Sequence, residues 1–456
     1  MSIDIAVFRR VVPLPHRLGV LTVVVLASFV VAAVRADAQV VTPGAARRDT
    51  TLAVQIDSVL DLPSVVRRAL DVSPAVVASD ESIRTAESER RVATGAYVPT
   101  LSANSSVLRS NVTTNSIAAE TPSSYSAGLA SSIDVFTGGR RAAERSRARA
   151  DLTAAEASNV SQRFAVTLAA QRAFYDNLRA SDLVGVARAR VAQGERGYRY
   201  AQDRVRAGTT TKSDELRARL ELTTGRQQLV AALDTLQTSA FALGRLVGAN
   251  GPIGAKSSNV EPRALALTDS EIVRLAIDGS PSVRAARASE EASSAATHSA
   301  RTLYVPDLRV TGGYNWANQT TIVGGVRPGW SVALGTSFPL FNGFQREDAI
   351  TRADAVAEVA RVTTLDITRQ SRAEAARLLS GLHFAEQNIS LAREAVQSAQ
   401  EDLRVQSERY QAGISTELDQ LTSQLAVTQA QLSLVAARFN YLITRAQLEA
   451  LVGREL

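Results

Sequence analysis

The sequence predicts a mainly α-helical protein with a membrane β-barrel contribution, built from two copies of one unit. Residues 206–214 and 411–419 share the spacing Ala-Gly-x-x-Thr-x-x-Asp and lie 205 residues apart. Proline is absent from residues 123–251 and after residue 339, which permits very long helices. Four runs of about ten residues alternate apolar and polar side chains, as β-strands do. Each unit should therefore contain a helix, a β-hairpin and a long helical hairpin.

The first 38 residues have the features of a secretory signal peptide. Arginines precede an apolar run from Leu18 to Val34, and Ala36-Asp37-Ala38 supplies small residues for cleavage. A transmembrane anchor is the alternative, because about 17 apolar residues is the lower limit for a spanning helix. The cleavage site favours a signal peptide at residues 1–38 and export of the remaining chain.

The composition argues against several functional classes. The 456 residues include no cysteine, and the exported part has only two histidines, His298 and His383. With no thiolate and so few imidazoles, we expect no enzyme activity, no metal site and no cofactor. The formal net charge of +6 is small for this length, so nucleic acid is not an expected partner.

Landmarks that occur twice set the predicted boundaries. Tyr97-Val98-Pro99 and Tyr304-Val305-Pro306 close the first helical stretch of each unit. The first repeat is predicted at residues 39–250, with a β-hairpin at about 100–136 and a helical hairpin at about 140–248. After a linker at 251–265, the second repeat is predicted at 266–456, with a β-hairpin at about 306–341 and a helical hairpin at about 344–453.

The predicted strands are long enough to cross a membrane. In the second unit, Val310, Tyr314 and Trp316 alternate with small or polar residues. A strand of about ten residues spans a bilayer when it is tilted. Trp316 and Trp330 are candidates for an aromatic belt at a membrane interface. A soluble hairpin that packs on the helices is the alternative interpretation.

The tract from Arg140 to Val205 predicts a helix of roughly 100 Å, too long for an ordinary compact domain. Apolar or small residues recur at heptad spacing along it, for example Val184, Ala187, Val191 and Gly194. The returning arm of the second unit has a similar pattern that includes Leu418, Leu421 and Leu425. We therefore expect antiparallel coiled coils with close helix approach.

The two repeated turns are expected to reverse these long helices. In each turn a glycine can adopt the positive φ of a helix end. A threonine three residues later can cap the next helix, and an aspartate three residues further completes a capping box. These residues are Gly208, Thr211 and Asp214 in the first turn, and Gly413, Thr416 and Asp419 in the second.

Four strands are too few to close a barrel, and a sheet in lipid cannot leave its edges unpaired. Three copies would provide twelve strands, and the long helices would continue that barrel as a tube. Two copies would provide eight strands, which make a barrel with a filled interior. The strand count therefore favours a homotrimer.

With these features, the exported chain resembles the TolC-like outer-membrane efflux proteins over essentially its whole length. The resemblance rests on the order and doubling of the landmarks. Besides the twin turns, they are Val135-Phe136-Thr137-Gly138-Gly139, Leu340-Phe341-Asn342-Gly343, Leu246-Val247-Gly248 and Leu451-Val452-Gly453.

This resemblance implies a trimeric channel in the outer membrane with an α-helical periplasmic tunnel. Such a channel is a passive exit duct of a tripartite efflux or type I secretion system. Its partners are a periplasmic adaptor protein, an inner-membrane transporter and outer-membrane lipid. The alternative is a non-channel periplasmic coiled-coil protein with a structural or adaptor role.

The resemblance also implies that the hairpin tips form the periplasmic entrance. Asp214 and Asp419 match two entrance aspartates of the family, and Tyr410 matches its gate tyrosine. Helix capping is the simpler role for both aspartates, and a carboxylate can cap a helix and line an entrance at once. For Tyr410, burial in the coiled-coil seam is the simpler role.

Two positions depart from the family pattern at this entrance. Ser415 stands where the family has a gate arginine, and Thr422 stands where it has a further aspartate. Lys212 and Arg206 are the candidates to supply a cation near Asp214 or Asp419. How the two hairpins are held together is therefore not fixed by the resemblance.

Overall fold

The structure is a computed structural model that describes residues 56–109, 123–256, 265, 267–318 and 326–456. The described residues all belong to one structural unit, Leu52–Leu456. The predicted signal peptide lies outside the described residues. Within them, no helix is both long and apolar enough to cross a membrane.

The two halves of the chain repeat helix, β-hairpin and helical hairpin in the same order. The first half contains β1 (Ser58–Leu60), α1 (Leu62–Val72), α2 (Pro74–Gly95), β2 (Thr100–Arg109), β3 (Ser123–Phe136), α3 (Arg140–Arg206) and α4 (Lys212–Leu246). The second half contains β4 (Ile253–Ala255), α5 (Asp269–Asp278), α6 (Pro281–Arg301), β5 (Asp307–Asn318), β6 (Val326–Ser337), α7 (Gln345–Gln411) and α8 (Glu417–Val452).

The long helices α3 and α7 have 67 residues each. Neither contains a proline, so the backbone hydrogen bonds continue without interruption. Each helix is therefore about 100 Å long. In contrast, Pro74 and Pro281 each begin a new helix, where the missing N–H is tolerated. Proline position thus separates the short helices from the long ones.

Four strands form one antiparallel sheet in the order β2-β3-β5-β6. Across the sheet, Ala103 lies opposite Leu129, Leu129 opposite Tyr314, and Tyr314 opposite Trp330. Because side chains alternate between the two faces of a strand, most of the large apolar residues of the four strands share one face, and Leu108 is an exception. That face is solvent-exposed in the protomer, and Trp330 is 78% exposed.

The opposite face of the sheet carries small and polar side chains. Ser102 pairs with Ala130, which pairs with Gly313. Near the helical end, Arg309 donates a hydrogen bond of 2.7 Å to Asp134 on the neighbouring strand. The sheet is therefore apolar on one side and polar on the other, as a membrane barrel wall is.

A second, two-stranded sheet was not anticipated from the sequence. β4 lies within the predicted linker and pairs in parallel with β1. Asn177 of α3 accepts a hydrogen bond of 2.8 Å from the amide of Ala255. This contact fixes the connection between the halves to the long helix. Strands of three residues are too short to give a sequence pattern.

The apolar core lies midway along the long helices. Its fully buried side chains include Val65, Phe174, Leu243, Leu382 and Leu448, which come from both halves. Phe174 is 32 residues before the end of α3, so this core is about 48 Å from the hairpin tip. The two hairpin tips are therefore held together by contacts between the tips and not by the core.

The predicted coiled-coil pattern holds along α3 and fails near the start of α8. Ala187 and Gly194 are buried as predicted, and a Cβ at Gly194 would lie 3.2 Å from Cα of Leu222. Leu418 and Leu425, however, are exposed. Near its tip α8 instead buries Glu417 and Ser423. The contact face there is polar, which the apolar pattern could not indicate.

Candidate functional site

The two hairpin turns have the same backbone geometry. Gly208 and Gly413 adopt φ values of 71° and 75°, in the left-handed region that glycine tolerates best. In the first turn, the amide of Thr209 donates a 3.0 Å hydrogen bond to the carbonyl of Arg204. The second turn repeats this bond. Both long helices thus end in a Schellman motif, which satisfies carbonyls at the helix end.

Each returning helix begins with a capping box. The hydroxyl of Thr211 accepts from the amide of Asp214 at 3.4 Å, and Asp214 accepts from the amide of Thr211 at 3.2 Å. The corresponding distances for Thr416 and Asp419 are 3.2 and 3.0 Å. Hydrogen bonds lower the pKa of both aspartates, from the Thr210 hydroxyl first for Asp214 and from Thr416 for Asp419. Both carboxylates are therefore ionised at neutral pH.

Ser415 contributes to the second cap. Its hydroxyl lies 3.2 Å from a carboxylate oxygen of Asp419 and 3.1 Å from the side-chain carbonyl oxygen of Gln406, and it can donate to either. In the first turn, Thr210 occupies the equivalent position and donates a 2.6 Å bond to Asp214. Ser415, at the position where the resemblance implies an arginine, therefore lies against the start of α8 and carries no charge.

Lys212 and Arg206 do not approach the two aspartates. Lys212 forms an ion pair with Glu215 on its own helix, and its side chain is 68% exposed. Arg206 forms an ion pair with Asp203. The cation nearest to Asp214 is instead Arg217, at 3.6 Å. The expectation that Lys212 or Arg206 supplies a cation for Asp214 or Asp419 is therefore not met within the protomer.

An arginine of the first hairpin packs against Tyr410 of the second. The guanidinium carbon of Arg204 lies 4.9 Å from the ring centroid of Tyr410. Tyr200 packs edge-on against the same ring, with 5.5 Å between centroids. Tyr410 is only 4% exposed, and its hydroxyl makes no hydrogen bond within the described residues. A desolvated cation–π contact of this kind contributes about 1–2 kcal/mol.

Glu417, at the start of α8, is the buried carboxylate of this region. It is 8% exposed, and its Oε2 has no hydrogen-bond partner within the described residues. Burial is the main reason that the pKa of Glu417 rises to about 7, and the charge of Asp214 raises it further. Arg217 and Arg204 oppose this rise. Glu417 therefore changes charge near neutral pH, between the two hairpin tips.

The structure thus brings together only part of the predicted entrance set. Tyr410 takes part in the contact between hairpins, and Asp214 acts on Glu417 from the first hairpin. The hydrogen bonds of Asp419 within the described residues stay inside its own turn. Tyr410 is buried, as its position in the coiled-coil seam predicted, and it contacts the other hairpin. Its role in a gate stays a prediction.

Sequence reasoning missed Arg204 and Glu417, although the duplication contained a signal. At the 205-residue offset, Glu417 corresponds to Lys212, and Tyr410 corresponds to Val205. These are positions at which the two turns differ in charge or size while their backbone residues agree. A position-by-position comparison of the repeats would have selected Glu417 and Tyr410, but not Arg204, because the residue that corresponds to Arg204 is also an arginine, Arg409.

The protomer combines a four-stranded sheet that has one apolar face with two helices of about 100 Å, and each of these is followed by a returning helix of about half that length. Solved structures of outer-membrane proteins have this fold. CusC superposes with a TM-score of 0.76 over 86% of this chain and 92% of that chain, at 18% identity. VceC from Vibrio cholerae gives a TM-score of 0.73 over 86% and 96%, at 20% identity.

The profile of the Outer membrane efflux protein family matches residues 65–249 and again residues 272–454. The chain therefore belongs to the outer membrane efflux protein family. The cobalt-zinc-cadmium resistance protein CzcC of Cupriavidus metallidurans is 24% identical over 313 residues, which are 66% of this chain and 70% of that protein. These matches favour an outer-membrane efflux protein over the non-channel coiled-coil alternative.

Proposed function

We propose that three copies of this chain form a passive channel through the outer membrane. The channel would serve a tripartite efflux or type I secretion system, with substrates delivered by an inner-membrane transporter through a periplasmic adaptor. The observation that carries this proposal is the four-stranded sheet. One of its faces is apolar and exposed, and within the described residues β2 and β6 each have a partner on one side only.

An open sheet of this kind is unstable in lipid, because each unsatisfied backbone group costs several kcal/mol there. Pairing β6 of one copy with β2 of the next removes every edge when three copies close into twelve strands. Aromatic side chains also lie near one end of the sheet and just beyond its other end. Tyr314 packs on Trp316 near the strand connections, and Phe341 packs on Phe344 near the helices. Two aromatic belts of this type mark the two membrane interfaces.

The helices also leave apolar side chains exposed where neighbouring copies would meet. In α7, Val356, Val359 and Val362 are each more than half exposed. In α2, Val92 is 73% exposed. In the half of the protomer next to the four-stranded sheet, α2 packs against α3, α3 against α6, and α6 against α7. The helices α2 and α7 are therefore at the two ends of this row. Contact between α7 and the α2 of the next copy would bury both surfaces.

The hairpin tips are proposed as the periplasmic entrance and as the contact region for the adaptor. In this proposal, the Arg204–Tyr410 contact and the buried Glu417 hold the two hairpins of one copy together. Asp214 and Asp419 line the entrance while they cap α4 and α8, and Lys212 contributes an exposed charge at the tip of the first hairpin. A passive duct needs no catalytic residue and no cofactor, and we propose no enzymatic activity.

Trimer formation can be tested with cysteines, because the chain contains none. A protein with one cysteine on β2 and one on β6 should form disulfide-linked trimers in outer-membrane fractions. A protein with both cysteines on β3, which pairs on both sides within the copy, should not form them. A monomeric product that is freely soluble in the periplasm would overturn the proposal.

The entrance role needs a separate measurement. Replacing Asp214 and Asp419 together with Ala should raise channel conductance in planar bilayers and antibiotic leakage in cells, while trimers still assemble. The capping contributions of the two residues, about 1 kcal/mol each, should not prevent assembly. Unchanged conductance in assembled trimers would remove the entrance role of these aspartates.

A further inference from the structure

A solvent-open cavity of about 1000 Å³ lies on the surface between the end of α2 and the beginning of α3. Four arginine side chains line it, two from each helix. They are Arg90, Arg91, Arg145 and Arg149. Tyr97 and Val98 line the cavity on the side of the sheet, and both are exposed. The cavity therefore combines a strongly basic lining with an apolar edge.

The charges of these arginines are not balanced by carboxylates. Within the described residues, none of the four forms an ion pair, although Arg91 donates to the backbone carbonyl of Glu87 at 3.5 Å. Exposed arginines elsewhere do pair, as Arg361 does with Glu358 at 2.6 Å. The acidic residues of the same stretch, which include Glu87 and Glu89 of α2, do not line the cavity. Four like charges in one cavity favour an anionic ligand.

The second repeat shows that the fold does not require this basic lining. Thr297 and His298 occupy the positions that correspond to Arg90 and Arg91, at an offset of 207 residues. At the 205-residue offset, Ile350 and Asp354 replace Arg145 and Arg149. Asp354 there forms a 3.1 Å ion pair with Arg301. The same backbone junction therefore exists in this chain with its charges balanced.

We propose that this cavity binds a phosphate group through the guanidinium groups of Arg90, Arg91, Arg145 and Arg149. Guanidinium groups bind phosphate oxygens through paired, charge-assisted hydrogen bonds, and several together give specificity for a multiply charged group. The proposed ligand class is a phosphate-bearing anion. Its two candidate sources are the headgroup of an anionic phospholipid and free phosphate.

The position of the cavity favours the lipid source. Arg91 is nine residues before Thr100, where β2 begins, and Tyr97 and Val98 lie between them. Basic pockets beside apolar surface at a membrane boundary suit lipid headgroups. The proposal that the cavity binds a phosphate group depends only on the residues that line it. The proposal that this phosphate belongs to a lipid also depends on the proposed position of the sheet in the outer membrane.

Binding can be measured by native mass spectrometry of the full chain purified in detergent. The three probes are phosphatidylglycerol, inorganic phosphate, and diacylglycerol, which lacks the phosphate. The cavity variant carries Arg91→Gln and Arg145→Gln. The matched control carries Arg84→Gln and Arg147→Gln, two arginines of the same helices that lie outside the cavity and pair with Glu81 and Asp151.

The expected result is that phosphatidylglycerol is retained by the unmodified protein and by the control, and at least tenfold more weakly by the cavity variant. Diacylglycerol should not be retained by any of them. If inorganic phosphate competes at equal concentration, free phosphate is the source, and if it does not, the lipid is the source. Equal retention of both phosphate probes by the cavity variant and the control would overturn the proposal.

The outcome is separable from the proposed channel function. A protein that assembles and conducts but binds neither phosphate probe would refute only the cavity proposal. A protein that fails to form trimers but loses phosphate binding in the cavity variant would refute only the channel.

Discussion

The two hairpin tips have the same backbone and different side chains. Each tip has a glycine at positive φ, a Schellman motif and a threonine-aspartate capping box. The first tip presents Arg204 to the other hairpin, and the second presents Tyr410 and Glu417. The equivalent of Glu417 in the first tip is the exposed Lys212. The tips are therefore alike where they make a turn and complementary where they meet.

This difference indicates how the two copies of a duplicated unit can come to contact each other within one chain. Two identical tips would place like side chains against each other, whereas a cation needs a π-face or a carboxylate as its partner. The backbone residues serve only their own turn, so both copies can keep them. Among the side chains that cross between the tips, Tyr410 and Glu417 differ from their counterparts Val205 and Lys212, whereas Arg204 has an arginine, Arg409, as its counterpart.

Reversing the charge of Arg204 should have the largest effect on the pore. Arg204→Glu removes the cation–π contact with Tyr410 and adds a negative charge beside Glu417. We expect a several-fold rise in single-channel conductance in planar bilayers, because the two hairpins then repel each other. The repeat provides the control, since Arg409 corresponds to Arg204 and is exposed. If Arg409→Glu raises conductance as much, the tips are not functionally different.

The second prediction concerns pH. Burial raises the pKa of Glu417 from 4.5 to about 7, so the packed tip binds this proton more tightly than a separated, solvated tip does. The contact between hairpins therefore loses stability as pH rises from about 4.5 to about 7, by on the order of 3 kcal/mol for an isolated group. Conductance should be higher at pH 8 than at pH 5.5.

Glu417→Gln is the matched variant for the pH measurement. It keeps the size of the side chain and cannot ionise, so its conductance should stay near the low-pH level at both pH values. A pH response that persists in Glu417→Gln would assign the effect to another group.

Loss of the N-cap of α4 or of α8 should have a smaller effect than the changes at Arg204 and Glu417, and the two losses should destabilise their helices equally. Thr211→Ala and Thr416→Ala each remove one side of a capping box, which costs about 1 kcal/mol of local helix stability. Hydrogen exchange at the amides of Asp214 and Asp419 measures this directly, and each should speed up about fivefold in its own variant. Clearly unequal changes would contradict the equivalence of the two turns.

The smallest effect is expected for Lys212. Its ion pair with Glu215 is exposed, and exposed pairs are worth about 0–1 kcal/mol. Lys212→Ala should leave conductance and trimer yield unchanged in the same bilayer and gel measurements. A conductance change comparable to that of Arg204→Glu would show that Lys212 acts across protomers.

The features that could be predicted from the sequence are those that depend only on residues close together in the chain. Gly208, Thr211 and Asp214 act within one turn, and the absence of proline in α3 is a property of one tract. The Arg204–Tyr410 contact depends on how residues about 200 positions apart pack, which no local pattern contains. Glu417 was missed for the same reason, since burial of a carboxylate at a helix start requires the neighbouring hairpin.

The central position of the core has a mechanical consequence. Phe174 is buried about 48 Å from the end of α3, so each long helix acts as a lever with its pivot at the core. A rotation of about 5° at such a pivot displaces the tip by about 4 Å, close to the full separation of the Arg204 and Tyr410 groups. Small motions that leave the core packed are therefore sufficient to separate the two tips.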